Sequence, residues 1–106
     1  MIYINIANDY TDSPGGRFVA DGKFSGEEFR ENLLHPKYME AIEKETKLCI
    51  NFDGCYGYPS SFLDEAFGGL ARKLRDKSIL ENMELICNDE PGIIEDIKEY
   101  VSETQI

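Results

Sequence analysis

The sequence predicts a single α/β domain over residues 1–106: a small sandwich with a mixed β-sheet, in the order β-β-α-β-α-β-α. Three observations predict it. Short apolar runs of strand length alternate with longer stretches of helical period. An early pair of strand-like segments lies on either side of a turn-rich stretch, as in a hairpin. The chain of 106 residues, 42% of them hydrophobic, is long enough for one core and too short for two.

Met1 to Ala7 opens the chain with Ile2, Ile4 and Ile6 on one face and Tyr3 and Asn5 on the other, a half-buried strand. Asn8 to Gly16 is rich in Asn, Asp, Ser, Pro and Gly and forms a loop or wide turn. Arg17 to Ala20 is then a second short strand, antiparallel to the first, ended by Asp21-Gly22. Ser25 and Glu28 have the spacing of a capping box. Phe29, Leu33 and Leu34 follow at helical spacing, and Pro36 stops this helix and starts a second one through Tyr38, Met39 and Ile42.

Residues 47–53 hold Leu48, Cys49, Ile50 and Phe52, nearly continuous as in a central parallel strand. A loop leads to Ser60, and a helix over 60–76 carries Phe62, Leu63, Ala66, Phe67, Leu70, Ala71 and Leu74 on one face. Asp64 and Glu65 in its first turns and Arg72, Lys73 and Arg75 near its end suit the helix dipole. Residues 83–87 are another buried strand. Pro91 starts the last helix, whose stripe is Ile93, Ile94, Ile97 and Val101. Helices between strands imply parallel pairing with right-handed crossovers.

Charge narrows the function. Eleven Lys and Arg against 21 Asp and Glu give a net charge of −10. That field repels nucleic acid and anionic membrane surfaces, so neither is an expected partner. No apolar run reaches the ~18 residues of a membrane span, and the N-terminus, Met1 to Asn5, lacks the basic n-region and cleavage site of a signal peptide. Cys49, Cys55 and Cys87 are odd in number and form no CxxC pair. No disulfide framework or zinc site is expected, and a reducing cytoplasm fits. Cys49 and Cys87 read as core residues, whereas Cys55 falls in a loop.

Catalytic signals are thin. The one histidine, His35, precedes Pro36 at a helix end, and neither a GxSxG elbow nor a phosphate-binding GxxxxGK[ST] loop occurs. Glu27-Glu28 and Asp64-Glu65 are adjacent on helices, so each pair diverges instead of converging on a metal, and each reads as solvated surface. No cofactor or metal is expected. In an open α/β sheet, ligands and partners gather beyond the carboxyl ends of strands. Here that edge carries Asp53, Gly54, Tyr56, Gly57, Tyr58, Pro59, Ser60 and Ser61. One serine caps the helix; the second hydroxyl is surplus and faces the positive end of the helix, where a phosphate is tolerated. Gly68-Gly69 inside the helix costs about 1 kcal/mol per glycine relative to alanine. The pair marks either close helix packing or a bare patch for a partner's backbone.

The stretch from Leu48 to Leu70, LCINFDGCYGYPSSFLDEAFGGL, resembles the signature of the STAS-like family of unknown function, as does Phe24 to Arg30, FSGEEFR. More distantly it resembles the STAS anti-sigma-factor antagonists. That resemblance implies a mixed sheet with helices on one side and a non-enzymatic regulatory role in bacterial signal transduction. It also implies docking of a histidine-kinase-type ATPase or kinase. In those antagonists a D-S-S/T-G-L motif opens the helix after the central strand, and its second hydroxyl residue is phosphorylated. Laid on this chain, that residue is Ser61. Pro59 stands in the place of the aspartate and Phe62 in that of the glycine. The implied docking surface comprises Asp53, Gly54, Tyr56, Gly57, Tyr58, Pro59, Ser60, Asp64 and Gly68. The alternative is a small-molecule or nucleotide sensor using the strand-end crevice near residues 53–61.

Overall fold

The computed structural model describes residues 1–106. Three strands, β1 (Ile2–Asn5), β2 (Leu48–Asn51) and β3 (Met83–Ile86), form one parallel sheet in the order β1-β2-β3. The register sets Ile4 beside Ile50 and Ile50 beside Leu85. Helix α1 spans 26–43 as Gly26–Phe29, a π turn Arg30–Leu34 and His35–Glu43. Helix α2 spans 60–74 as Ser60–Leu63, a π turn Asp64–Gly68 and Gly69–Leu74, and α3 is Gly92–Glu103. Right-handed crossovers that step the same way across a sheet place both connecting helices on one face. The burial pattern agrees: Leu48, Ile4 and Ile50 are sealed beneath the helices, while Tyr3 and Glu84 on the other face are exposed. A core of 21 buried residues joins the covered sheet face to α1, α2 and α3.

The sheet is therefore not mixed. It has three strands instead of four, in the order β-α-β-α-β-α. The expected strand at 17–20 is absent because β1 does not lead into a hairpin. Asn5 caps a one-turn helix, Ile6–Asp9, by accepting from the Asn8 N–H, and Asp9 takes the Asn5 N–H in return. The chain leaves the sheet there. Residues 15–17 hydrogen bond to 24–27 instead of to β1: the Gly15 N–H donates to the Phe24 carbonyl, and the Gly16 and Arg17 carbonyls accept from Gly26 and Glu27. Val19–Asp21 is a 3-10 turn.

Pro36 does not divide the helix. The π turn just before it hands the His35 N–H to the Arg30 carbonyl, five residues back, so the ladder is already shifted where the proline's missing donor would fall. The capping box is half realised. Ser25 Oγ accepts from the Glu28 N–H at 3.0 Å, but the Glu28 carboxylate accepts from the Tyr10 hydroxyl instead of reaching back. Helix α2 ends at Leu74, two residues short of expectation, where Arg75 turns left-handed with φ 54°. Gly26 is required by close packing: a Cβ there would run into the backbone carbonyl of Phe62, so only glycine lets α1 and α2 approach at this point.

No helix is long and apolar enough to cross a membrane. Cys49 and Cys87 are buried at 7% and 6% exposure and Cys55 is half-buried, all three as free thiols. Burial pushes each thiol's pKa up, so none is an activated thiolate.

Candidate functional site

The segment joining β2 to α2 is held at several points and exposed between them. Asp53 accepts from the backbone N–H of Asn88 at 2.8 Å and of Asp89 at 2.9 Å, and from the Asn88 side-chain amide at 3.0 Å. Asp89 in turn accepts from the Gly54 N–H. Gly54 has φ +94°, a conformation glycine adopts without strain, and a Cβ there would press on Ala7. The Tyr56 N–H donates to the Asp12 carbonyl at 2.9 Å. The Tyr58 hydroxyl donates to the Phe52 carbonyl at 2.7 Å and lies 3.0 Å from the Cys55 sulfur. Burial, with Cys55 next to it, holds the Tyr58 phenol well above its ordinary range. Tyr56, by contrast, is 88% exposed. Gly54, Gly57, Pro59 and Ser60 are exposed as well, and Ser61 is half-buried.

The Asp89 N–H, helped by the Asn88 amide groups, holds the Asp53 carboxyl below the usual carboxylate range. A carboxyl with a lowered folded-state pKa contributes stability above its unfolded value of about 3.9 and loses it as pH falls through the folded value. Acid unfolding followed by circular dichroism should therefore show wild type and Asp53→Ala converging in stability below about pH 4. A gap of constant size through that range would mean that the contribution of Asp53 does not depend on its charge.

The Asp64-Glu65 pair corrects the expectation of a solvated face. Glu65 is 9% exposed and sits among three arginines. Arg30 Nη1 lies 2.6 Å from Glu65 Oε2 and also donates to the Glu65 carbonyl at 2.7 Å. Arg17 Nη1 lies 2.7 Å from Asp64 Oδ2 and 3.5 Å from Glu65 Oε1. Arg72 Nη2 is 3.7 Å from Glu65 Oε1. The cluster ties the two π turns together. A wide turn displaces carbonyls from the regular ladder, and the Arg30 guanidinium meets one of them.

The same cluster accounts for Gly68-Gly69. A Cβ on Gly69 would collide with the Arg30 guanidinium. One on Gly68 would lie 2.8 Å from Asp64 Oδ1 and 3.5 Å from the Tyr100 carbonyl. Both glycines are buried, so the pair serves packing and leaves no bare patch. Of the sequence-derived site, then, Gly54, Tyr56, Gly57, Pro59 and Ser60 are exposed along one segment, while Tyr58 is half-buried and anchored to Phe52. The expected serine cap is not made: Pro59 occupies the N-cap of α2, and no side chain accepts from the first-turn amides. Asp64 is turned into the ion-pair cluster, and Gly68 offers no surface. Arg17, Arg30, Arg72 and Tyr100 were not singled out from the sequence as site residues; a long-range ion pair leaves no local period to read.

Two concavities flank the loop. The strand-end crevice is about 200 Å³ and is lined chiefly by Phe52, Cys55, Tyr58, Cys87 and Ile93, with Asp89 and Glu90 at its margin. A second, more polar cleft of about 560 Å³ lies between the start of α2 and the end of α3. No group of three or more His, Cys, Asp or Glu side chains is placed to hold a metal ion.

Fold and site define a class: a small parallel α/β module, helices on one face, with a pinned loop at the strand ends. The family model of the STAS-like domain of unknown function (DUF4325) matches residues 25–92, and the chain belongs to that family. No curated protein and no solved structure matches it.

Proposed function

We propose that this chain is a non-enzymatic regulatory module of the cytoplasm that docks a protein partner through residues 54–61. The observation that carries the reading is Tyr56, 88% exposed on a segment whose backbone is fixed on both sides of it. An exposed tyrosine on a fixed loop loses little conformational freedom on binding, and tyrosine is among the residues that dominate interface energies. The partner class is a histidine-kinase-type ATPase or kinase, on the strength of the likeness to the STAS antagonists. Ser61 is the control point, and phosphate there adds almost two negative charges beside the docking loop of a chain already at −10.

The strand-end crevice supports the sensor alternative poorly. Its 200 Å³ fall short of the ~300 Å³ at the lower end of small-molecule pockets, and its charged residues, Asp89 and Glu90, repel a nucleotide's phosphates.

The test begins with capture of the partner from the source cell's extract. Wild type, Tyr56→Ala, Ser61→Ala and Ser61→Asp are then titrated against it. Tyr56→Ala should weaken binding by about tenfold or more, Ser61→Asp should do likewise, and Ser61→Ala should bind as wild type. Equal affinity for all four, with folding intact by circular dichroism, would move the docking surface elsewhere.

A further inference from the structure

The two edges of the sheet are finished differently. At β1 the Ile2 N–H donates to the Lys47 carbonyl, so Tyr3 and Asn5 turn their backbone groups outward. The Asp9 carboxylate takes the Asn5 N–H at 2.8 Å, and Ile4 on the covered face is only 1% exposed. At β3 the Phe52 N–H donates to the Ile86 carbonyl at 2.8 Å. Glu84 and Ile86 therefore turn their backbone groups to β2, and Met83, Leu85 and Cys87 turn theirs outward. The Met83 N–H bonds back to the Leu80 carbonyl. The Met83 carbonyl, both backbone groups of Leu85 and the Cys87 N–H remain free on the outer side. Leu85 shares a row with Ile4 and Ile50, yet it is half-buried where they are sealed. Ile86, on the other face, is 38% exposed. The helices stop short of this edge, and an uncovered edge is a template for another strand.

We propose that β3 is a dimerisation edge, which takes β3 of a second copy of this chain, antiparallel, about a two-fold axis at Leu85. The free groups are self-complementary about that axis. Leu85 exchanges both hydrogen bonds with Leu85 of the second copy, and each Cys87 N–H meets a Met83 carbonyl. On the helix side the two Leu85 side chains meet at the axis and become buried. On the open side Glu84 stands opposite Ile86 of the second copy and not opposite its like. An axis at Glu84 would set two carboxylates face to face, and one at Ile86 would carry the pairing out to Asn88, which has turned away to Asp53. Any extended strand can bond to these groups; the match of donors and acceptors about one axis, with no like charges directly opposed, selects this chain itself. The product is one continuous sheet with both helix layers on the same face. The charge of −10 on each chain opposes association, so salt strengthens it by screening. The inference is independent of the docking reading, which concerns the strand-end loop.

The experiment is sedimentation equilibrium of the full chain over a concentration series, at low and high salt. The expected result is a rise with concentration from 12.1 kDa to twice that mass, stronger at high salt. In the dimer the Leu85 and Cys87 amides should gain protection from hydrogen exchange, which wild type alone can show. Ile86→Glu sets carboxylates opposite each other and acts twice across the axis, so it should weaken the dimer by about fivefold or more. Ile86→Lys faces Glu84 instead and should bind at least as tightly as wild type. Tyr3→Glu, exposed at the opposite edge, should leave the dimer intact. Overturning results are a monomer at every concentration up to about 1 mM, a dimer indifferent to Ile86→Glu, or one that Ile86→Lys weakens as much as Ile86→Glu does. Protection of the Leu85 amide that arises only when a different protein is added would likewise overturn the second copy as occupant.

Discussion

Replacing Phe67 with alanine should lower stability by about 3–5 kcal/mol, the range for removing a buried aromatic side chain. Phe67 is fully buried, with its ring centroid 5.8 Å from that of Phe52 and 6.4 Å from that of Phe29. It therefore touches the end of β2 and the first turn of α1 from the middle of α2, so one truncation loosens sheet and both helices together. Alanine leaves a cavity that the surrounding rings cannot fill, since Phe29 and Phe62 are themselves sealed and packed against each other, tilted, with centroids 5.7 Å apart. For a domain of about 100 residues each kcal/mol moves the midpoint by roughly 4–8 °C, so the melting temperature should fall by about 15 °C or more. Phe67→Leu should recover much of the loss. A Phe67→Ala protein melting within a degree or two of wild type would mean that this face of α2 is not the core.

That face was legible because its information is local. Phe62, Leu63, Ala66, Phe67, Leu70 and Leu74 recur at the helical period, and β2 announces itself as a nearly continuous apolar run. The strand at 83–87 was legible by place but not by burial: Glu84 interrupts it, and as an edge strand β3 leaves Glu84 and Ile86 exposed instead of buried. The strand at 17–20 was misread for the converse reason. Arg17 to Ala20 has strand-like residues, but a strand exists only if an edge accepts it. The turn Ile6–Asp9 takes the chain off β1 before any hairpin can form. Pro36 misled in a similar way: its effect on a helix depends on the preceding ladder, and the π turn at Arg30–Leu34 is not a property of any one residue. The exposed loop was legible as a strand-end segment rich in Gly, Pro and Tyr. Its fixation by Asp12, Asn88 and Asp89, distant in sequence, was not.

The ion-pair cluster is the part of the molecule least visible in the sequence, and Glu65→Ala should be among the most destabilising single changes. Removing one member of a buried ion pair leaves its partner uncompensated, at a cost of about 3–5 kcal/mol. The partner here is Arg30, whose side chain is 13% exposed and whose Nη1 lies 2.6 Å from Glu65 Oε2. Without that carboxylate, Arg30 keeps the Glu65 backbone carbonyl and Glu31, which it meets through Nε at 3.0 Å. Glu31 is more exposed and also serves Lys73, so it cannot replace the lost charge. Arg17 and Arg72 are 33% and 37% exposed, and solvent screens them, so the loss concentrates on Arg30. Three variants separate charge from packing. Glu65→Gln retains the shape and one acceptor and should lose less than Glu65→Ala. Arg30→Ala alone should be strongly destabilising, because it strands Glu65. The double variant should be less destabilised than the two single losses added together, since neither charge is then left alone. Urea unfolding of the four proteins supplies the cycle. Strict additivity would mean that Glu65 and Arg30 act independently, and the link between the two π turns would then rest on the aromatic packing of Phe29, Phe62 and Phe67 alone.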